Sequence, residues 1–425
     1  METIAVIGTG ISGMAAALRL HELAHLTLFE RETWVGGHTN TVIVREEAET
    51  VPVDTGFMVY NEVTYPRLTR LFAELNVPTM PTEMSFGVYH AGADLSYCGS
   101  SLNRIFGDRR NLARPRFYGM LRDILRFNRE APGILDSPEN ELMTLDEFLA
   151  RGRYGSMFRD FYLIPMTGAI WSTPPDRMLR FPARTLVRFL HNHGLLGVNT
   201  HFPWRTVRGG SREYRERLIA PFRDRIRTGC PARSVHVGPD YAEVRDAAGR
   251  AHRFDRVVIA THADEALALR SNPSQDEERL LGVFRYTKNP VKLHTDASVM
   301  PPQRRTWASW NYRMDPSPDG GRASTHYWMN SLQKVSAQTD YFVSVDDPGL
   351  VDPAKVLWEK DFTHPTFDCA TRAAQEELPR LNQGRRVYYA GSYFRFGFHE
   401  DGLMSGLDAA DAVLQDGGKR ELVAV

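Results

Sequence analysis

Three glycines near the N-terminus have the spacing of a turn that binds phosphate. Gly8, Gly10 and Gly13 form a G-x-G-x-x-G pattern directly after the short apolar run 4–7. In such a turn the first glycine permits a tight bend, the second lets the backbone approach a pyrophosphate, and the third lets a helix pack closely on a strand. The following helix presents free N–H groups to the phosphates, so we also expect Ser12 in its first turn to bind the same ligand.

Glu30 is the acidic residue expected at the end of the second strand of this unit. It follows the apolar run 26–29, which comes after the Ala- and Leu-rich segment 14–23. Strand, glycine turn, helix, strand and acid therefore occur in the order of a βαβ unit, in which the acid accepts hydrogen bonds from an adenosine ribose. We predict a dinucleotide site here, although this pattern alone allows NAD, NADP or FAD.

A second glycine turn follows Glu30, and a related segment comes after the next strand-like run. Their residues are Arg31, Gly36, Gly37, His38 and Thr39, then Asp54, Thr55, Gly56 and Phe57. The pair resembles flavoproteins of the amine oxidase superfamily, in which the Gly-Gly turn passes under the pyrophosphate and the later segment runs beneath the isoalloxazine. The resemblance implies that these residues bind FAD, since nicotinamide enzymes do not need the second turn. His38 stands where many members carry arginine.

The C-terminal segment 386–414 favours the same cofactor. A strand-like run ends at Gly391, before Ser392, and a helix-like run begins near Gly402. This order is similar to the superfamily's C-terminal FAD motif, in which a helix starts at the pyrimidine edge of the flavin, although amine oxidases usually carry a carboxylate in place of Ser392. Hydride transfer leaves negative charge at flavin N1 and O2, and the free N–H groups of a helix N-terminus stabilise it. The residues expected to bind FAD here are Gly391, Gly402, Leu403 and Ser405, with Gly402 and Leu403 as the N–H donors.

Two central segments complete the predicted cofactor domain. Val235, on a strand-like run, stands at the adenine-contacting position of the superfamily, and Thr261 ends the run that returns to the dinucleotide-binding sheet. The resemblance implies an α/β fold with a discontinuous Rossmann-like FAD-binding domain and an inserted α+β substrate domain, as in amine oxidases. The predicted domains are 1–60, 205–265 and 385–425 for FAD, and 61–204 with 266–384 for the substrate.

His399 and Glu400 directly precede the predicted flavin-facing helix. A histidine gains or loses a proton near neutral pH, so His399 is a candidate catalytic residue, and Glu400 is the alternative proton acceptor. An equally simple interpretation makes His399 a helix-entry residue stabilised by Glu400. No cysteine stands where amine oxidases form a thioether to FAD, so we expect noncovalent FAD. The spacing of the histidines predicts no metal site.

Aromatic residues are concentrated in the predicted substrate domain. Trp171, Trp310 and Tyr327 are the candidate substrate contacts among them. A domain laid over a flavin needs a concave lid that excludes water, so together these side chains predict an apolar pocket. Each one alone is explained at least as well by core packing. We expect an aliphatic or isoprenoid-like substrate rather than a sugar.

Composition limits the other function classes. Lys and Arg number 52 and Asp and Glu number 52, so no net charge attracts nucleic acid. Cys98, Cys230 and Cys369 are few and far apart, which is typical of free thiols in a reducing compartment. With no signal-like N-terminal run and no apolar run long enough to span a membrane, we expect a cytoplasmic protein.

Residues 106–129 are unusually rich in arginine. The arginines are interleaved with apolar side chains, and Pro115 precedes a helix-like run. A basic amphipathic helix suits a surface of anionic lipid headgroups, which predicts peripheral contact with the inner face of the membrane. A solvated helical face packed on the substrate domain is the alternative.

Over nearly its whole length the chain resembles the superfamily of flavin-containing amine oxidases, protoporphyrinogen oxidases and phytoene desaturases. The segments 165–172, 204–211 and 397–402 resemble a bacterial branch of FAD-binding oxidoreductases associated with cyclopropane-fatty-acid-synthase-like methyltransferases. That branch implies desaturation of a methyl-branched fatty acyl chain on the way to furan fatty acids. The residues themselves support hydride removal from an apolar substrate. Two alternatives stay open: an amine oxidase that produces hydrogen peroxide, and a lipid-binding module of the same fold without FAD.

Overall fold

The fold is taken from a computed structural model, which describes residues 1–47, 49–136, 140, 142–171, 175–197, 200–316 and 322–418. Ser172, which ends one of the segments that carry the resemblance, and residues 419–425 of the predicted cofactor domain lie outside the described residues. Across the described ranges, none of the helices combines the length and the apolar character needed to cross a membrane.

A five-stranded parallel sheet is the centre of one half of the molecule. Its strands, in spatial order, are Ile226–Arg227, Ala24–Phe29, Glu2–Ile7, Arg256–Ile259 and Val387–Tyr389. The apolar run 4–7 is buried throughout, because a parallel sheet is covered on both faces. The helix Ile11–Leu20 connects the first two strands of the chain, so the βαβ unit predicted from the sequence is present.

Helices and a second sheet cover the two faces of the parallel sheet. The helix Ile11–Leu20 and the last helix, His399–Asp416, share an apolar cluster on one face. The elements on the other face are the helices Ala263–Leu269, Gln275–Leu281 and Cys369–Glu377 and the antiparallel strands Ala232–Val237, Ala242–Asp246 and Ala251–Phe254. This is the predicted Rossmann-like arrangement.

A seven-stranded mixed sheet is the centre of the other half. Its strands, in spatial order, are Val356–Thr366, Arg285–His294, Phe342–Val345, Arg322–Trp328, Trp310–Asp315, Phe86–His90 and Leu95–Cys98. The pair Trp310–Asp315 and Phe86–His90 is parallel, and the other neighbours are antiparallel. Strands from both predicted substrate segments therefore build one sheet.

Short elements complete the fold. The remaining strands are Thr41–Arg45 with Thr50–Asp54, and Tyr60–Asn61, Trp204–Val207 and Thr79–Thr82. The remaining α-helices are Pro66–Glu74, Leu102–Ile105, Pro115–Glu130, Leu145–Arg151, Ser156–Phe158, Ile164–Trp171, Pro175–Met178, Ala183–Asn192, Arg212–Ile219 and Met329–Leu332. A π-helical turn, Arg159–Leu163, precedes Ile164–Trp171. Pro165 has no N–H to donate, so the regular helical ladder is interrupted there.

Several helices of the predicted substrate segments belong with the parallel sheet instead. Leu68, Leu71 and Phe72 of the helix Pro66–Glu74 are buried in the cluster that covers one face of that sheet. The helices Gln275–Leu281 and Cys369–Glu377 cover its other face. The sheet itself combines residues 2–29, 226–259 and 387–389, as a discontinuous domain requires. The exact domain boundaries stay a prediction.

Candidate cofactor and active site

The first glycine turn leaves open space where a pyrophosphate is expected. Gly8 has a φ of 95°, in the left-handed region that favours glycine, and a Cβ on Gly13 would lie 1.9 Å from Gly8 O. A Cβ on Gly10, in contrast, would meet nothing within 4 Å. The second glycine therefore borders free space at a helix N-terminus, as a turn that approaches an anionic ligand requires. Ser12 is buried in the first turn of that helix.

Glu30 is buried at the end of the second strand. Its carboxylate accepts hydrogen bonds from Thr9 N at 3.0 Å and from Thr9 Oγ1 at 2.5 Å. Gly36 N of the second glycine turn donates to the same threonine hydroxyl at 3.4 Å. The carboxylate is thus held between the two turns, where the sequence predicts a ribose contact. Arg31 is exposed instead, and its guanidinium forms an ion pair with Glu265 at 3.0 Å.

The second glycine turn lies against both the first turn and the segment 54–57. A Cβ on Gly37 would lie 3.1 Å from Gly10 Cα. Phe57 N donates to His38 O at 2.8 Å, and a Cβ on Gly56 would lie 2.1 Å from that oxygen. The structure therefore brings together three segments that the sequence assigns to one cofactor.

Asp54 is buried and binds protein groups with both carboxylate oxygens. It accepts hydrogen bonds from Ser211 N at 2.9 Å, Thr41 Oγ1 at 2.6 Å and Gln333 Nε2 at 2.6 Å. Thr55 N donates to the carbonyl of residue 40 at 3.0 Å. Asp54 thus fixes the segment beneath the predicted ring site from behind, a role that the local sequence does not indicate.

His399 lies in a buried cluster with residues of both cofactor segments. Its ring stacks on Phe57 with centroids 4.0 Å apart, and Nε2 lies 2.5 Å from Tyr214 Oη and 3.5 Å from Thr39 Oγ1. Burial lowers the pKa of His399 to about 3, so the imidazole is neutral at physiological pH. The unprotonated Nε2 accepts hydrogen bonds from these hydroxyl groups, but a pKa this low makes the ring a weak base. His399 stays the candidate catalytic residue on its position alone.

Glu400 points away from this cluster and caps another helix. Its carboxylate oxygens accept hydrogen bonds from Arg67 N and Leu68 N, each at 2.9 Å, at the start of the helix Pro66–Glu74. Amides of a first helical turn have no intrahelical acceptor, so the carboxylate satisfies them and interacts favourably with the helix dipole. The expectation that Glu400 accepts a proton is therefore corrected: the structure gives this residue a capping role.

The free amides of the last helix lie slightly earlier than predicted. Gly402 N donates to Phe398 O at 3.0 Å, so this amide is not available to a flavin, and Leu403 lies further into the helix. The amides without an intrahelical acceptor are those of residues 399–401. Gly402 serves close packing instead, because a Cβ there would lie 2.7 Å from Ile11 Cγ2.

Leu403, Ser405 and Gly391 hold the last helix in place. The Leu403 side chain is buried in the cluster shared with the parallel sheet. Gly391 N donates to Ser405 Oγ at 2.9 Å, and this hydroxyl donates to Gly402 O at 2.9 Å. These contacts connect the helix N-terminus to the end of the strand Val387–Tyr389, so the free amides have a fixed position.

His38 lies among aromatic rings, with one nitrogen unsatisfied. The centroid of its ring is 4.8 Å from that of Phe362, 5.1 Å from that of His364 and 6.4 Å from that of His262. Burial, and then the neighbouring His364, keeps the pKa of His38 well below its usual range. Nε2 is buried without a hydrogen-bond partner in the part of the chain that the structure describes. A buried polar atom of this kind costs free energy unless a ligand supplies the partner, so His38 fits a cofactor contact.

A hydrogen-bonded chain next to His38 was not predicted from the sequence. His364 Nδ1 lies 2.7 Å from Asn289 Oδ1, and Asn289 Nδ2 donates to both carboxylate oxygens of Asp346, at 2.8 and 3.1 Å. Burial raises the pKa of Asp346 to about 6, so the carboxylate is ionised at neutral pH and only accepts. The amide must then present its oxygen to His364, which must carry its proton on Nδ1. Nε2 of His364 is left as an acceptor.

Trp171 belongs to an aromatic wall beside the start of the last helix. Its ring centroid lies 6.3 Å from that of Phe398, the residue before His399, and 4.7 Å from that of Phe189. Phe189 and Phe398 stack with centroids 5.0 Å apart. We call Trp171, Phe189 and Phe398 the aromatic wall. The structure thus places one predicted substrate residue against the residue that precedes the candidate catalytic histidine in the chain.

Trp310 and Tyr327 lie on neighbouring strands of the seven-stranded sheet. Their rings stack with centroids 5.7 Å apart, and Phe86 lies 5.9 Å from Trp310. Phe86 also packs against the apolar cluster that contains Trp171. The three predicted substrate residues are therefore connected through Phe86 rather than in direct contact.

Val235 and Thr261 differ in their relation to the first glycine turn. Thr261 borders the turn, since its Cγ2 would lie 3.5 Å from a Cβ on Gly8. Val235 is buried in the cluster on the far face of the sheet, and its carbonyl accepts hydrogen bonds from Arg270 Nη1 at 2.8 Å and Ser271 N at 3.1 Å. Its side chain contributes to core packing.

These residues fit an FAD cofactor. The open space at Gly10 suits a pyrophosphate, Glu30 suits a ribose, and the free amides at 399–401 suit the negatively charged edge of a flavin. The contacts of Gly37 with Gly10, and of Phe57 with His399, connect these parts into one continuous site.

Tyr214, Gln333 and His364 are the site residues that sequence reasoning missed. Each lies on an element far from its partner in the chain, so no local spacing identifies it. The one local signal precedes Tyr214: Gly209 and Gly210 both have a φ of 86°, and they form a turn like the other glycine turns of the site.

Solved structures share this fold over nearly the full length of the chain. Cyclohexylamine oxidase from Brevibacterium oxydans is 17% identical, with a TM-score of 0.70 over 98% of this chain and 99% of its own. The CLA-producing fatty acid isomerase from P. acnes is 14% identical, with a TM-score of 0.66 over 97% of this chain and 98% of its own. Putrescine oxidase bound to putrescine is 13% identical, with a TM-score of 0.68 over 97% and 99%. At these identities the likeness shows the fold alone.

Sequence comparison identifies the family. A search of curated protein sequences found no match. The family profile described as flavin containing amine oxidoreductase matches residues 11–295, which is more than half of the chain. The predicted superfamily, the fold class and the FAD cofactor are thereby confirmed. The chain belongs to the flavin containing amine oxidoreductases and is an FAD-dependent oxidoreductase.

Proposed function

We propose that the protein removes a hydride from an apolar substrate, and that this substrate is a methyl-branched fatty acyl chain, which becomes desaturated. The aromatic wall beside His399 carries the proposal. Trp171 and Phe189 are buried, and Phe398 connects them to the start of the last helix. Such a wall excludes water and binds hydrocarbon by contact area alone. FAD, when bound, supplies the hydride acceptor.

The surroundings of His399 support a role in the proposed reaction. Its neutral ring is oriented by Phe57 and by Tyr214 Oη, and it directly follows Phe398 of the aromatic wall. We propose that it takes the proton released when the second C–H bond of the acyl chain breaks. The free amides of residues 399–401 stabilise negative charge that develops next to them.

The carboxylates near the wall do not favour an ammonium substrate. Glu400 is occupied by the amides of the helix Pro66–Glu74, and Asp401 Oδ2 accepts a hydrogen bond from Phe398 N at 2.9 Å. Burial raises the pKa of Asp401 to about 7, which further weakens it as the partner of a cation. These observations favour the acyl chain over an amine.

The structural neighbours leave two substrate classes to compare. A fatty acid isomerase shares the fold, so an acyl substrate is compatible with it. A cyclohexylamine oxidase shares the fold too, so amine oxidation with release of hydrogen peroxide is the second candidate. A lipid-binding module without FAD is not retained, because the family consists of flavin containing oxidoreductases.

Anaerobic reduction of the bound flavin tests the proposal. The purified holoenzyme is mixed with phospholipid that carries methyl-branched acyl chains, dispersed in detergent, and in parallel with cyclohexylamine or putrescine. We expect the lipid to bleach the visible flavin absorbance, and mass spectrometry of the extracted acyl chain to show the loss of two hydrogens. Bleaching by the amines and not by the lipid would establish the amine oxidase instead.

A further inference from the structure

The helix Pro115–Glu130 has two faces of different chemistry. Phe117 and Phe127 are fully buried on one face. On the opposite face the side chain of Tyr118 is 46% exposed and that of Leu125 is 58% exposed. Exposed apolar side chains that share one helix face can form a contiguous patch, and contiguous apolar patches mark interaction surfaces.

Arginines stand between these exposed apolar side chains. Arg122 and Arg129 are spaced three or four residues from Tyr118 and Leu125, so the four side chains share one face of the helix. Leu112, 52% exposed, extends this face, since Tyr118 Oη donates to its carbonyl at 3.1 Å. We call these five residues the outer face.

The arginines of the segment 106–129 divide into two groups. Arg110 forms an ion pair with Asp108 at 2.9 Å, and the Arg126 guanidinium lies 4.0 Å from the centre of the Tyr154 ring. These two charges therefore interact with groups of the protein itself. Arg122 has no ion pair within the described ranges, and Arg129 pairs only with its exposed neighbour Glu130, at 2.9 Å. The outer face therefore keeps positive charge available to an external partner.

The buried face of the same helix reaches the aromatic wall. Phe127 belongs to the apolar cluster that contains Trp171 and Phe189. Phe117 belongs to a cluster against which Phe86 packs. The buried side of the helix and the rings that we propose as the substrate site therefore pack in one apolar cluster.

We propose that the outer face docks on a bilayer of anionic phospholipid. The two arginines attract the headgroups, while Leu112, Tyr118 and Leu125 place apolar atoms at the headgroup boundary. This inference deepens the proposed function and rests on it for its purpose, because the helix that docks packs in the same apolar cluster as the proposed substrate site.

Sedimentation with lipid vesicles tests the docking. We expect the holoenzyme to bind vesicles of phosphatidylglycerol, to bind phosphatidylcholine vesicles much more weakly, and to lose the binding as salt is added. The double variant R122Q/R129Q should bind phosphatidylglycerol vesicles at least about tenfold more weakly than the unsubstituted protein. The reason is that each basic residue near an anionic surface contributes measurably to binding. The matched control is R208Q/R233Q, which removes two exposed arginines of the cofactor half.

A second variant separates the apolar contribution. L125S should weaken vesicle binding while its salt dependence stays that of the unsubstituted protein, because no charge changes. Retained flavin absorbance and an unchanged melting temperature confirm that the variants fold. Equal binding by R122Q/R129Q and the unsubstituted protein overturns the proposal. So does a change of oligomeric state in L125S with unchanged vesicle binding, which identifies a second copy of the chain as the occupant.

The two proposals fail in different ways. If detergent-dispersed lipid reduces the flavin but vesicles do not bind, the docking is wrong and the proposed reaction stands. If vesicles bind through the outer face but no acyl lipid reduces the flavin, the docking stands and the proposed substrate is wrong.

Discussion

The glycines of the first turn have separable roles, one toward the ligand and one toward the fold. Gly10 has a φ of −63°, which any residue adopts, and open space where a Cβ would point. We expect Gly10→Ala to fold normally and to bind FAD at least about tenfold more weakly, because the methyl group occupies the space of the pyrophosphate. Fluorescence titration of the apoprotein with FAD measures this affinity.

Gly13→Ala is the informative contrast. A Cβ there would lie 1.9 Å from Gly8 O, so helix and strand must separate. We expect the free energy of unfolding in urea to fall by about 1–3 kcal/mol. A Gly10→Ala protein that unfolds as readily as Gly13→Ala would show that Gly10 is structural as well.

The hydrogen-bonded residues Asp346, Asn289 and His364 determine which ring nitrogen of His364 carries the proton, and this can be tested. The ionised carboxylate orients the amide, and the amide holds the His364 proton on Nδ1. Asp346 has a φ of 58°, which asparagine tolerates well. In Asp346→Asn the new side chain is able to donate as well as accept, so we expect the Nε2–H tautomer of His364 to become populated.

Nitrogen-15 NMR of histidine-labelled protein distinguishes the two tautomers. His326 is the internal control, because its ring nitrogens lie 2.6 Å from Ser344 Oγ and 2.9 Å from Ser324 Oγ, in hydrogen bonds that involve none of these three residues. If the His364 signals are the same in both proteins, Asp346 does not set the proton position.

Some residue roles depend on contacts that no local pattern records. The contacts of Gly8, Gly10, Gly13 and Glu30 can be predicted from their spacing, since these residues meet within one βαβ unit. The sequence predicts Glu400 as a proton acceptor because it lies at the start of the last helix, yet its hydrogen-bond partners lie 332 and 333 residues earlier. Its capping role follows only from the packed structure.

The crossing of the first and last helices depends on two glycines one turn apart. Gly402 faces Ile11, and a Cβ on Gly406 would lie 2.2 Å from Ser12 O. We expect Gly406→Ala to lower the free energy of unfolding by about 1–3 kcal/mol and to weaken FAD binding, because the displaced helix carries the free amides with it. Urea unfolding and FAD titration measure the two effects.

Gly119→Ala is the control for this substitution. Gly119 lies inside the helix Pro115–Glu130, and a Cβ there would meet nothing within 4 Å. Alanine is the better helix former by up to about 1 kcal/mol, so we expect unchanged or slightly higher stability. A similar loss in both variants would mean that the helix crossing is not the cause.

The sequence predicted those elements that pack against elements adjacent to them in the chain. The first strands and the helix between them belong to this class. The pairing of the strand Trp310–Asp315 with the strand Phe86–His90 was not predictable. The two strands are more than 200 residues apart in the chain, and an apolar pattern that predicts burial does not identify the partner strand. The aromatic residues predicted a pocket, but only the sheet order shows that Phe86 connects them.

The protein as a whole buries histidines that resist protonation, which makes its stability depend on pH. Burial lowers the pKa of His294 to about 4 and that of His326 to about 3. A histidine in the unfolded chain titrates near pH 6.5, so below that pH the unfolded state binds more protons than the native state. Stability is therefore lost as the pH falls from about 6.5 toward 4, whereas Asp346 and Asp401, with raised pKa values, oppose part of this loss.

The variant His326→Gln isolates one contribution. We expect the difference in the free energy of unfolding between pH 7 and pH 5 to shrink by about 2 kcal/mol relative to the unsubstituted protein. Urea titrations at the two pH values measure it, and His236→Gln, at an exposed position, should leave the difference unchanged. Equal pH dependence in all three proteins would show that His326 does not carry the effect.

The packing of the last helix on the first has a consequence for biosynthesis. A ribosome adds roughly 5–20 residues each second, so the glycine turn at Gly8–Gly13 emerges on the order of tens of seconds before His399–Asp416. During that interval the nascent βαβ unit lacks the helix and the strand Val387–Tyr389 that complete its sheet and cover it. Tight retention of FAD is therefore a late event in the maturation of each molecule, and a chain interrupted before residue 387 should leave the ribosome colourless.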